Sequence, residues 1–209
     1  MLPCVSLKWM AIWKRVIQSI SGVISLKSSG GISVKLTIIV MCMVACATLA
    51  FAQGPAKDPI ASSLRLLEQR SQNNTVGAVE AMPADKFSYK PTADQSTFAH
   101  LVVHIVEFNN SICSKAADVP APKAEEVKET DSKDKLVSAV KASYSFCSDA
   151  LGKMDDSKLG EEIELFGGRK APRAMAALIA PSGWADHYAA AAMYLRLNGV
   201  TPPSAQKQH

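Results

Sequence analysis

Acidic side chains are missing from the first quarter of the chain: no Asp or Glu occurs before Gln53, whereas Lys8, Lys14, Arg15, Lys27 and Lys35 all do. With those five set aside, 18 of the 23 Lys and Arg remain against 19 Asp and Glu, so the formal charge of +4 belongs to the leader. A balanced body of about 157 residues excludes a basic nucleic-acid-binding domain. Its length suits one domain with one core, not a large multidomain enzyme. GxGxxG, a P-loop, GxSxG and CxxC are all lacking, which leaves dinucleotide binding, P-loop phosphate chemistry, serine hydrolysis and dithiol exchange without a motif. No internal repeat recurs at a fixed period. β-Branched alternation of useful length is absent too, so the expected class is all-α.

What the first 52 residues do contain is an apolar run, Leu36 to Leu49, that follows Lys35 and ends in the small-x-small triplet Ala50-Phe51-Ala52. This reads as a signal peptide cut before Gln53, with residues 53–209 secreted or periplasmic. The run is shorter than the roughly 20 apolar residues of a bilayer span. Membrane attachment is therefore expected only through an uncut leader, or through Met43-Val44-Ala45-Cys46 acting as a lipoprotein box that lipidates Cys46. Residues 1–33 precede a complete signal peptide; a start near Val34 would suffice, and a long n-region is the alternative. Cleavage removes Cys4, Cys42 and Cys46 and leaves Cys113 and Cys147. Two cysteines in an oxidising compartment suggest one disulfide, the other reading being two buried thiols that never meet.

Four segments carry helical periodicity. The first spans about Ile60 to Met82, with Leu64, Leu67, Asn74, Ala78 and Ala81 along one side and Pro83 at its end; Asn73, Asn74 and Gly77 weaken it. The second is expected after Pro91, with Thr92 and Gln95 as a capping box, and continues through Phe98, Leu101, Ile105, Phe108 and Ile112 to about Ala117. Residues 118–132 are polar and Pro-containing and read as an exposed linker. The third runs from about Lys133 to Met154 on the stripe Leu136, Val140, Tyr144, Cys147 and Leu151. After a second linker containing Gly160, Gly167 and Gly168, the fourth follows Pro172 and stops at Asn198-Gly199. Pro181 and Gly183 predict a kink, or a first turn split off. Four helices with such connections make a four-helix bundle.

Only four histidines occur, His100, His104, His187 and His209. His100 and His104 stand one turn apart on one helix face, and His187 comes from the fourth helix, so the three could share a divalent ion in a bundle core. Glu107 and Asp186 lie close in sequence and could ligate or orient. The plainer reading gives these histidines hydrogen bonds to backbone or to a carboxylate.

The stretch MPADKFSYKPTADQSTFAHLVVHIVEFNNSIC, with DHYAAAAMYLRLNGVTPPS near the C-terminus, resembles the DinB-like family over residues 58–204. The specific marks are Met82-Pro83-x-x-Lys86-Phe87, His104, and His187-Tyr188 followed by Tyr194-Leu195-Arg196 and Gly199-Val200-x-Pro202-Pro203. The resemblance implies an up-up-down-down four-helix bundle. It also implies a solvent-open divalent metal, zinc or nickel, on three histidines, which in some members activates a low-molecular-weight thiol. His104 matches the first ligand and His187 the third. The middle ligand, four residues before the third, falls on Gly183, which has no side chain to offer, and Ala189 stands where a glycine is usual. Two readings follow from the resemblance. One is an exported, non-catalytic bundle that retains a degenerate site for a small molecule, metal or partner. The other is a metal-dependent enzyme of thiol S-transferase or hydrolase type, with His100 replacing the missing ligand. The run Ala189 to Ala192 permits close helix approach, for internal packing or for a homodimer.

Overall fold

In a computed structural model, residues 57–123 and 126–206 are described. The leader, Cys46 and His209 lie outside the described residues. Four helices form the body: α1 (Pro59–Ala81), α2 (Phe98–Ala117), α3 (Lys133–Gly152) and α4 (Arg173–Leu197). The all-α four-helix expectation is met.

Local chemistry sets each boundary. Pro59 opens α1 with its φ already helical, and the free amides of Ile60 and Ala61 donate to the Asp156 carboxylate at 2.9 and 2.8 Å. α2 starts at Phe98, not just after Pro91, because Thr97 is the cap: its hydroxyl accepts from the His100 amide at 2.9 Å. Thr92 and Gln95 form a turn instead. The amides of Phe98 and Ala99 donate back to Tyr89 and Phe87, which folds the preceding loop onto the helix start. Ser132 caps α3, and its expected stripe from Leu136 to Leu151 is fully buried.

α4 differs from expectation in running unbroken through Pro181. Proline costs a helix one hydrogen bond and some steric room; here Ala180 and Trp184, both buried, pack the helix on either side of the defect. The second linker also holds an unexpected ribbon, β1 (Glu162–Glu164) antiparallel to β2 (Lys170–Pro172), with Ile163 opposite Ala171. Gly167 and Gly168 turn it at φ 68° and 76°, a region that favours glycine.

Helix directions follow from the cross-links. Lys133 at the start of α3 donates to the Glu80 and Met82 carbonyls at the end of α1, while Asp156 beyond α3 meets the start of α1, so α1 and α3 are antiparallel. Asn109 meets Ser143 and Cys113 meets Cys147 at one constant offset, so α2 and α3 are parallel. Tyr194 donates to the Ser96 carbonyl, Trp184 to Asn109, and Arg173 to the Lys115 carbonyl, so α2 and α4 are antiparallel. The order is up-down-down-up, which corrects the up-up-down-down order that the resemblance implied. The cause is the connection of residues 118–132. Fifteen residues reach up to about 50 Å when extended, enough to return along the roughly 30 Å of α2 and start α3 at the same end.

All four helices meet in one buried polar layer. Trp184 Nε1 donates to Asn109 Oδ1 at 2.9 Å, Asn109 Nδ2 donates to Ser143 at 3.1 Å, and the Ser71 and Tyr144 hydroxyls lie 2.9 Å apart. Phe98, Ile105, Leu136 and Leu195 fill the layers around it, so the unit beginning at Lys57 has a complete core of its own. The Cys113–Cys147 disulfide, with its Cα atoms 5.2 Å apart, staples α2 to α3 inside that core. Closing a 34-residue separation contributes about 4 kcal/mol by chain entropy. Thiol counting on residues 53–209 denatured without reductant is expected to find no free thiol; two would show that the bridge does not form.

Candidate functional site

His104 on α2 and His187 on α4 come together, with ring centroids 4.9 Å apart and planes perpendicular. Because α2 and α4 are antiparallel, one turn forward on α2 matches one turn back on α4. Phe108 therefore faces Gly183. A Cβ built on Gly183 would lie 2.3 Å from Phe108 Cζ and under 3 Å from two further ring carbons. The ring of Phe108 takes the space that a side chain at position 183 would need. It also meets His187 edge to face, with centroids 4.8 Å apart, and stacks on Phe166 at the tip of the β-ribbon.

This packing desolvates His187. Burial first, then the neighbouring His104, pushes its imidazole down to about 4, against a smaller upward pull from Asp186. Its Nδ1 is buried and makes no hydrogen bond. His104 is exposed and lines a cleft of about 610 Å³ between α2 and residues 126–130, shared with His100, Glu107, Glu126 and Glu129.

His100 lines the same cleft but is engaged elsewhere. Its Nδ1 lies 2.7 Å from Glu129 Oε1, while Thr97 donates to Oε2 of the same carboxylate at 2.8 Å. Those two bonds, the imidazole's first, hold the Glu129 carboxyl below its usual range. The cap of α2 and the incoming strand of chain are thereby tied together, and His100 follows the plainer reading of a histidine bonded to a carboxylate. Glu107 faces the cleft and Asp186 is exposed beside His187.

The donor set does not fit the three-histidine metal. Two imidazoles face each other, the third position is a glycine covered by a phenyl ring, and His100 is bound to Glu129. Among the described residues no group of three or more His, Cys, Asp or Glu side chains is placed to hold a metal ion. Sequence reasoning missed Phe108 and Glu129. Phe108 left a trace, since it stands one turn from His104 on the same face and opposite a glycine. Glu129 left none, because its approach depends on how the 118–132 connection folds back.

A family model described as the DinB superfamily matches residues 68–182. A solved DinB-like protein from Bacillus subtilis is similar in fold at 22% identity and TM-score 0.56, over 70% of this chain and 99% of its own. One from Bacillus cereus is similar at 16% identity and TM-score 0.54, over 65% and 90%. A mycothiol-dependent maleylpyruvate isomerase is similar at 14% identity and TM-score 0.51, over 62% and 59%. At such identities the likeness is one of fold. No curated protein matches the chain.

Proposed function

We propose, on the premise that this chain belongs to the DinB superfamily, that it is an exported bundle whose metal mouth is closed and which works without metal catalysis, by binding. The observation that carries this reading is Phe108 filling the room at Gly183. A site with two imidazoles holds a transition metal weakly, and function follows the site more than the fold. Export is supported by the apolar run before Ala50-Phe51-Ala52 and by the disulfide, which suits an oxidising compartment. The neighbouring cleft of about 610 Å³, with the exposed His104 at its edge, has the size of a small-molecule site.

A divalent-metal-dependent enzyme of thiol S-transferase or hydrolase type is the second reading. What favours it is the His104–His187 pair at 4.9 Å with an unpaired Nδ1. Elemental mass spectrometry on untagged residues 53–209, purified without chelator and loaded with excess zinc or nickel before desalting, separates the two. The expected content is below about 0.1 ion per chain, unchanged in His104→Ala. Near-stoichiometric metal that disappears in His104→Ala would establish the second reading and direct work to thiol-transfer assays.

A further inference from the structure

Packed helices ordinarily fill the space between them. α1 and α4 instead leave a cavity of about 330 Å³, on the α1 flank of α4, whereas the histidine mouth lies on its α2 flank. Short side chains meet there, Ser71 and Asn74 from α1 and Ala185 from α4. Leu67, Pro181 and Trp184 give it an apolar wall, and Leu67, expected in the buried stripe of α1, stays 46% exposed beside it. The C-terminal turn Pro203–Ala205 closes one side. It reaches α1 because Gly77 has no side chain: a Cβ there would lie 3.1 Å from Pro203 Cγ. Tyr188 holds the turn from α4, its hydroxyl accepting from the Ser204 amide at 2.9 Å and donating to Ser204 Oγ at 2.7 Å.

The polar groups left over at this cavity can all donate. Arg70 lies exposed at the rim, and neither it nor the Asn74 side chain makes a hydrogen bond or ion pair among the described residues. Ser204 Oγ, having accepted from Tyr188, keeps its own proton to give. No Asp or Glu lines the cavity. Glu68, two residues from Arg70 and so on another side of α1, is buried in the core, and the Ser71 hydroxyl is taken by Tyr144 at 2.9 Å. Asp186, next to Ala185 in the chain, is not part of the lining and acts on His187.

We propose that this cavity binds a small monocarboxylic acid with an apolar body. The carboxylate sits on Arg70, whose planar fork matches it, with Asn74 and Ser204 as further donors, and the body lies against Leu67, Pro181 and Trp184. An amine would meet an unpaired cation and no acid. A neutral apolar molecule would leave the donors unused, and a bare inorganic anion would leave the wall unused. The volume is near the lower end, about 300 Å³, of small-molecule sites, which limits the body to a short chain or a single ring. This site is separate from the His104 cleft, so it stands whether or not the histidine mouth holds metal.

Trp184 is the sole tryptophan of residues 53–209, the others being Trp9 and Trp13, so its emission reports on the cavity. Octanoate and phenylpropionate are titrated into untagged residues 53–209, with calorimetry as a second readout. The expected result is saturable binding of at least one acid with a dissociation constant below about 1 mM, weakened at least about tenfold by Arg70→Gln. Circular dichroism should show that variant folded, since Arg70 is exposed and unpaired. Lys141→Gln on α3 should bind as wild type does, and octan-1-ol and octylamine at least about tenfold more weakly than octanoate. No saturation by either acid up to about 10 mM, octan-1-ol binding as tightly as octanoate, or undiminished binding by Arg70→Gln would overturn the proposal.

Discussion

Replacing Gly183 with alanine is expected to lower stability by about 1–3 kcal/mol through overpacking. The same exchange inside an unobstructed helix raises it by up to about 1 kcal/mol. The sign reverses because the new methyl would meet Phe108 Cζ at 2.3 Å, and the ring is held on its other sides by His187 and Phe166. Urea denaturation of the two proteins measures the difference. An unchanged or raised midpoint would mean that Phe108 swings freely into the cleft and does not close the mouth.

The pair can also be exchanged together. Phe108→Ala with Gly183→His removes the ring and puts an imidazole one turn from His187, opposite the vacated space. The double variant is expected to bind zinc at least about 100-fold more tightly than either single variant, read by competition with a chromophoric chelator. Gly183→His alone should bind no better than wild type, because its side chain has nowhere to go. Equal zinc affinity in all four proteins would show that something other than Phe108 keeps metal out.

The second large effect concerns Glu68. Its side chain is 3% exposed within the bundle, one carboxylate oxygen has no hydrogen-bond partner, and desolvation pushes its pKa from 4.5 up to about 7. Between those values the folded chain holds a proton that the unfolded chain has lost. Stability therefore falls as pH rises through this window, by about 3 kcal/mol in all, and the loss is complete above about 7.

His187 acts in the opposite sense. With its pKa lowered from 6.5 to about 4, the unfolded chain takes up a proton that the folded chain refuses, and stability is lost as pH falls through that range. Between 4.5 and 6.5 the two slopes oppose each other, so the wild type should be most stable there and lose stability on both sides. Glu68→Gln keeps the shape, removes the charge, and should leave a curve that rises from pH 4 to 6.5 and then stays flat. Denaturation midpoints from pH 4 to 8 measure both curves; a Glu68→Gln curve that still falls toward pH 7 would place the titrating group elsewhere.

The sequence alone determined the class and the units. Helix periodicity marked all four helices to within a few residues, except where Thr97 outcompeted Thr92 as a cap. The resemblance to the DinB-like family, carried by its motif residues, implied His104 and His187 as the first and third ligand positions and Gly183 as the missing middle one. Tertiary structure decided the rest. The direction of α3 was set by how the 118–132 connection returns along α2, and Pro181 was tolerated because Ala180 and Trp184 are buried around it. That His100 belongs to Glu129, that Phe108 fills the space at Gly183, and that Cys113 reaches Cys147 are all contacts between segments tens of residues apart. Periodicity reports which face of a helix is buried; only packing reports which side chain from another helix arrives there first, and at this mouth that arrival decides the chemistry.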